Sequence, residues 1–599
     1  MKNDKRCDQG LFLVKVNVYI DFCAKSVQYS FCMPLTPLRR PLMFHVWSGF
    51  LLGVSMLAGP LQSAPDAPPP KLAVVISIDQ FRADYLVRFR PYFVEGGFKR
   101  LLEGGADFRD NHYRHAVTKT APGHATILSG VHANVHGIVA NEWVDRATWQ
   151  VIESVEDPTV TILGAAPKAG RSPGGVLEAK AGRSPRNFLA TTVGDQLKLR
   201  FGAGSRVFSV AHKDRSAILM GGKLADSAYW IVDGRFVTST YYHDRLPAWV
   251  EAFNAEGRVE KFFGQTWDRL LDPAVYDAVQ GADDAPGENT DFGFGRAMPK
   301  KIDGGATRLT AKFYEAFETT PAASELVGQF AQLALEQEQL GRHRDSDLLC
   351  VGFSQIDKIG HAYGPDSHEL MDSILRLDRV IAGLLDAIDR AVGLKNCVVV
   401  LTADHGSSPL PEHVRALRPE IPAGRLDVAA ADRAVTTALE QAFGKAPDGD
   451  YWCLRDNFGY HLRPTVLQAL NVQADAAARV AKQALLARPE VANAFTAAEV
   501  LAMAAEDNSL AAGSRRSYFP GRSQGVIFVL KPYFMDRPKS GTNHGTPYDY
   551  DTHVPQLWFG AGVTPGIHVE RTGVDDLAPT LAGLLGVPRP PQAQGRRLF

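Results

Sequence analysis

The chain has 599 residues, 45 % hydrophobic and 22 % charged, which is the composition of an ordinary soluble globular protein. Its 65 basic and 66 acidic residues nearly cancel, so bulk charge gives no support to a nucleic-acid partner. Six cysteines without a CxxC pair exclude a thiolate metal site.

The N-terminus carries an export pattern. "LRRPLMFHVWSGFLLGVSMLAGPLQSAPDAPPPK" sets Arg39 and Arg40 before a glycine-interrupted apolar run that ends in small residues. That run is short for a membrane span, so a secretory signal fits better than an uncleaved anchor, and no stable membrane insertion is expected. A signal begins near a start codon, which points to translation from Met43. Residues 1–42 are then a non-native extension, 43–70 a signal and proline-rich leader, and 71–599 the exported catalytic body, periplasmic or secreted.

The body opens on "KLAVVISID", an unbroken apolar run of the kind that forms a strand buried on both faces, ending at Asp79. "TKTAPGHATILSG" (118–130) follows, with two threonines, a proline and a histidine; Thr118 and Thr120 each stand where a helix cap would. "HGIVAN" brings Asn141. "AGRSP" occurs at 169–173 and again at 181–185, a local duplication within an insertion spanning about 160–186. "SRVFSVAHKDRS" supplies Lys213 and Arg215. Residues 220–345 are aromatic and irregular and read as a second insertion.

"DSDLLCVGFSQID" and "LKNCVVVLTADHG" repeat the apolar-run-then-aspartate design. The first leads to Asp357 and His361, whose spacing of four brings them to one face of a helix. The second ends in adjacent Asp404 and His405, and between the two runs, 368–391 has helical leucine and isoleucine spacing. Residues 408–535 form a third insertion, "GTNHGTPYDYDTHVP" supplies His544 and His553, and "THVPQLWFGAGV" is a fourth strand. Strands alternating with helices predict an α/β fold with a mostly parallel central sheet flanked by helices, in which ligands gather beyond the carboxyl ends of the strands. The aspartates at three strand ends should therefore converge. Carboxylate and imidazole together form a donor mixture that zinc accepts, and two groups of three ligands would suit a two-metal site with a nucleophile between its ions. A metal-held threonine hydroxyl loses its proton more readily, and a helix N-terminus helps to stabilise the anion.

"KTAPGHATILSG…HGIVAN" resembles the K-T-x-P-x-H…H-G-I-x-x-N signature of the alkaline phosphatase superfamily, on its nucleotide pyrophosphatase/phosphodiesterase branch, and K-D-R at 213–215 resembles the phosphate-irrepressible, PafA-type alkaline phosphatases. The resemblance runs from about residue 71 to the C-terminus. It implies an alkaline phosphatase-like fold and Thr120 as nucleophile. It also implies one zinc held by Asp79, Asp404, His405 and Thr120, and a second held by Asp357, His361 and His544, with His553 the competitor for the last place. Asn141, Lys213 and Arg215 would hold phosphoryl oxygens, the two cations favouring a monoester dianion over a diester. The expected activity is hydrolysis of small-molecule phosphate monoesters through a phosphothreonine. The rivals are a phosphodiesterase or nucleotide pyrophosphatase, and a zinc- or phosphate-binding protein without turnover. A sulfatase fits less well, because no cysteine stands at the nucleophile position. His112, His115, His124, His132 and His136 are assigned to packing or turn hydrogen bonds.

Overall fold

The computed structural model of the chain describes residues 16–20, 27–31, 68–165, 182–289, 294–505, 507–537 and 539–599. The chain divides into residues 1–67 and 68–599. In the first unit two strands, Val16–Ile20 and Val27–Phe31, pair antiparallel. The expected signal segment, the start at Met43 and the first AGRSP copy lie outside the described residues.

The body is built on a ten-stranded sheet. Its centre is β1 (Leu72–Ile78), every residue of which is buried. The strands β4 (Val207–Ala211), β5 (Ser227–Val232), β7 (Asp347–Phe353) and β8 (Cys397–Thr402) run parallel to it in the order β8-β1-β7-β4-β5. Their Val, Leu and Ile side chains meet helices on both faces, and each fully buried one stabilises the fold by about 1.5–3 kcal/mol. The "THVPQLWFGAGV" strand, β13 (Gln556–Gly560), joins the other edge of β8 antiparallel, followed by β2 (Ala106–Phe108) and β14 (Gly566–His568). Beyond β5 come β6 (Arg235–Ser239) and β3 (Ile162–Leu163), both antiparallel.

The first part of the 220–345 stretch, read as an inserted accessory segment, contributes strands β5 and β6 to this sheet. "SAYWIVDGRFVTS" is a hairpin in which Val232 pairs with Arg235, and Asp233 and Gly234 turn through φ values of 47° and 75°. Asp-Gly is a favoured pair for such a two-residue turn. The remainder of that stretch packs outside the sheet, and Lys300 from it reaches the buried Glu369 carboxylate at 2.7 Å. Residues 408–535 carry a second, antiparallel sheet of β9 (Cys453–Asp456), β10 (Gly459–Leu462), β11 (Val491–Thr496) and β12 (Val526–Leu530). It has its own apolar cluster around Val435, Leu439, Trp452, Tyr460 and Phe528.

Glu288 is buried near Glu369, and burial, then the neighbouring carboxylate, pushes its pKa up to about 9. Below the ordinary carboxyl pKa both folded and unfolded chains hold this proton. Above it the unfolded chain releases the proton first, so stability falls by about 1.4 kcal/mol per pH unit up to the raised value. Glu288→Gln should therefore melt increasingly above the native chain as pH rises from 5 to 9. A difference in melting temperature that stays flat across that range would contradict this.

Candidate active site

Parallel, in-register strands deliver their C-terminal residues to one edge. Ile78 is level with Phe353, Ser77 with Thr402, and Ala211 with Gly352. Asp79 follows β1, Asp404 and His405 follow β8, Asp357 follows β7, and Lys213 follows β4. Asp357 and His361 lie on helix α2 (Gln355–Tyr363), one turn apart, with His361 Nε2 3.3 Å from Asp357 Oδ1. Five of these residues, Asp79, Asp357, Asp404, His405 and His544, are buried.

Thr120 is the first residue of helix α1 (Thr120–Ser129), all of which is buried. Lys119 occupies the cap position without a side-chain cap bond, so neither threonine caps this helix. Thr118 Oγ1 instead donates to the Thr546 carbonyl at 2.8 Å, tying the loop before α1 to the segment that bears His544. Asn141 Oδ1 accepts from the Ala121 N–H at 2.8 Å, fixing the side chain at the same helix start. The helix can come this close to the end of β8 only because Gly123 has no side chain: a Cβ there would lie 2.3 Å from the Asp404 carbonyl oxygen. Thr120 Oγ1 ends up 3.5 Å from Lys213 Nζ and 3.5 Å from His405 Nε2.

The imidazoles share one arrangement. His361 Nδ1 donates to the Thr542 carbonyl at 2.9 Å, His405 Nδ1 to that of Gly406 at 2.9 Å, and His544 Nδ1 to that of Thr118 at 2.7 Å. With the Nδ1 proton committed, Nε2 presents a lone pair. Those Nε2 atoms face carboxylate oxygens: His405 lies 3.2 Å from Asp404 Oδ2, and His544 lies 3.5 Å from Asp357 Oδ1. Two lone pairs at such distances repel unless a proton or a cation stands between them, which is what a metal site built from these donors requires. Asp79 adds two buried oxygens that meet only cationic or imidazole nitrogens, Oδ2 at 3.0 Å from Lys213 Nζ and Oδ1 at 3.4 Å from His124 Nε2. The donor set therefore fits metal ions.

The charges follow from the same packing. Burial pushes the Asp357 carboxyl up, but His361 and Lys213 outweigh it and hold the pKa well below the usual range. Burial pulls His405 down, yet Asp404 beside it leaves the pKa above the ordinary value. Burial and neighbouring His405 keep His544 well below it. Lys213 Nζ joins the two groups, 2.5 Å from Asp357 Oδ2 and 3.0 Å from Asp79 Oδ2. Arg215 sits at the start of the next helix, Asp214–Gly221, with its guanidinium 3.8 Å from the Asp214 carboxylate. Asp214 is itself gripped by Arg183 Nε at 2.7 Å. Arg183 belongs to the second AGRSP copy, so the duplication reaches the cationic loop through Asp214.

His124, expected to serve packing or a turn hydrogen bond, lies 3.4 Å from Asp79 and 3.5 Å from Asp404, and with them forms a group able to hold a metal ion. Both its ring nitrogens are already engaged, Nδ1 with the Thr120 carbonyl at 2.9 Å and Nε2 with Ser77 Oγ at 3.1 Å. His405 is thus the better ligand for that group, and His124 braces it from behind. His553 is elsewhere, stacked on His112 with ring centres 4.5 Å apart and donating Nε2–H to the Arg109 carbonyl at 2.7 Å. Asp357, His361 and His544 form the other group able to hold a metal ion.

A hydroxyl at a buried helix N-terminus, beside two carboxylate–imidazole groups and the Lys213 ammonium, suits a phosphoester hydrolase. The family model described as "Type I phosphodiesterase / nucleotide pyrophosphatase" matches residues 73–515. A Myroides odoratus protein named a calcium-transporting ATPase is 34 % identical over 87 % of this chain and 92 % of its own length. Alkaline phosphatase PafA of Elizabethkingia meningoseptica is 31 % identical over 91 % of this chain and 97 % of its own. The crystal structure of wild-type alkaline phosphatase PafA superposes with a TM-score of 0.80 at 30 % identity, covering 89 % of this chain and 99 % of that one. The chain belongs to the type I phosphodiesterase/nucleotide pyrophosphatase family, among its PafA-type alkaline phosphatases, and is a phosphatase.

Proposed function

We propose that this chain is an exported phosphomonoesterase that uses two zinc ions and passes through a phosphothreonine. The observation that carries this is the position of Thr120 Oγ1, 3.5 Å from both the Lys213 ammonium and the His405 imidazole, at a helix N-terminus. Asp79, Asp404 and His405 would hold one ion beside Thr120, and Asp357, His361 and His544 the other. Bound there, the ions lower the pKa of the hydroxyl and neutralise charge on the phosphoryl group and its leaving oxygen.

Thr120 attacks phosphorus and the ester oxygen departs on the opposite side. The Asn141 amide, the α1 N-terminus and the Lys213 and Arg215 cations hold the non-bridging oxygens, whose charge they balance throughout. Water then cleaves the phosphothreonine, freeing phosphate and restoring the hydroxyl. The export pattern at 43–70 supports a periplasmic or secreted site of action, and no helix among the described residues is long and apolar enough to cross a membrane.

The test is metal analysis together with rates on matched aryl monoester and diester substrates. Two zinc ions per chain and a clear monoester preference are expected. A diester preference would move the chain to the phosphodiesterase reading, and bound zinc without hydrolysis would make it a binding protein. Two histidine variants refine the assignment. His544→Ala should lose one of the two ions and most activity, whereas His553→Ala should keep both ions and near-native turnover. Equal metal loss from the two variants would overturn the choice of His544.

A further inference from the structure

Gln80 directly follows Asp79 and is buried, with 1 % of its surface exposed. Its backbone is left-handed at φ 63°, a conformation that costs a residue with a side chain free energy and persists only where its surroundings enforce it. The turn gives Gln80 two contacts that an extended residue could not make together. Its N–H donates to Asp404 Oδ1 at 3.1 Å, and its side-chain Nε2 donates to Asp357 Oδ1 at 2.8 Å. One residue therefore grips a carboxylate from each of the two metal-capable groups, while Asp79, its covalent neighbour, belongs to one of them.

Two further features show that this grip is built in. A Cβ at Gly360 would lie 1.9 Å from Gln80 Oε1, so helix α2 makes room for the amide at the residue just before His361. Oε1 itself is buried without a hydrogen-bond partner. Flipping the amide would relieve nothing, because it would set the carbonyl oxygen against the Asp357 carboxylate. The side chain accepts a bare carbonyl and keeps its donor on the metal-site acid.

We propose that Gln80 is a positioning residue that sets the relation between the two metal groups. Its main chain occupies Asp404 Oδ1 and leaves Oδ2 for the ion beside Thr120; its amide orients Asp357 toward His361 and His544. Loss of the side chain should therefore loosen the Asp357 group, while the main-chain bond to Asp404 remains. The inference rests on the two-zinc reading above, and its test separates the two.

The experiment titrates the full chain with zinc against a chromophoric chelator, alongside thermal melts of the metal-free protein. Gln80→Gly removes the side chain and at the same time relieves the left-handed backbone, so its metal-free melting temperature should equal or exceed that of the native chain. Its zinc affinity should nevertheless fall about 10- to 100-fold at the Asp357 group, with the group beside Thr120 close to native. At saturating zinc, kcat for a monoester should drop while KM changes little. Gly360→Ala, which pushes on Oε1 from the other side, should reproduce the affinity loss. Native zinc affinity at the Asp357 group in both variants would overturn the proposal, as would a loss confined to the group beside Thr120. A native chain that binds no zinc at all would instead bring down the two-zinc reading, and this inference with it.

Discussion

Thr120→Ala should lose at least about 10³-fold in phosphatase turnover, because the hydroxyl it removes stands at the helix start 3.5 Å from both Lys213 and His405. The methyl that remains still fills the buried first turn of α1, and the helix does not depend on a threonine cap. Circular dichroism should therefore show native secondary structure, and the melting temperature should stay close to native. Zinc content discriminates further. The Asp357, His361 and His544 group is untouched by the change and should keep its ion, while the group beside Thr120 still has Asp79, Asp404 and His405. Thr120→Ser restores the hydroxyl and should recover a large part of the rate. Near-native turnover in the alanine variant would remove Thr120 from the reaction. A collapsed melt would show that its role is structural.

Lys213→Ala and Arg215→Ala should each lower monoester kcat/KM about 10²- to 10³-fold, and diester kcat/KM by clearly less. A monoester dianion carries one more charge than a diester, and a desolvated cation is worth most against the extra charge. The two variants should differ in one respect. The Lys213 ammonium also lies between the Asp357 and Asp79 carboxylates, so its removal leaves two buried acids facing each other and should shift the zinc affinity as well. Among the described residues the Arg215 side chain makes no ion pair with either group, so Arg215→Ala should leave the metal content at its native value. Equal losses on monoester and diester would argue against the monoester assignment.

The strand ends were the most legible part of the sequence. Unbroken apolar runs closing on Asp79, Asp404 and the Asp357 segment can only lie in a doubly covered sheet, and parallel pairing then forces their acids together. The interval from Asp357 to His361 worked for the same reason: helical geometry turns four residues into one face. Where sequence failed, the missing information was orientation. His544 and His553 occupy similar histidine-bearing loops, and what separates them is that one aims Nε2 at Asp357 and the other donates it to a backbone carbonyl. His124 looked inert because its partners are 45 or more residues away in sequence except for the Thr120 carbonyl. Gln80 left no signal at all, since its function depends on a sign of φ. The hairpin at 227–239 did carry its Asp-Gly turn openly, but the aromatic richness around it masked the alternation that would have joined it to the core.

The place of β1 in the sheet has a cost in time. It is the first strand of the body to be made, yet both its edges are closed by strands from residues 347–353 and 397–402. Until those emerge, "LAVVISI" is an exposed, uncharged, β-branched ribbon with two free edges, which is the kind of segment that seeds aggregation. Pairings this distant also make folding slow. A chain of this topology folds only after most of it has been synthesised. Fragments that stop short of residue 402 lack one of the two strands that close β1, so truncated forms should be recovered as aggregates rather than as smaller enzymes.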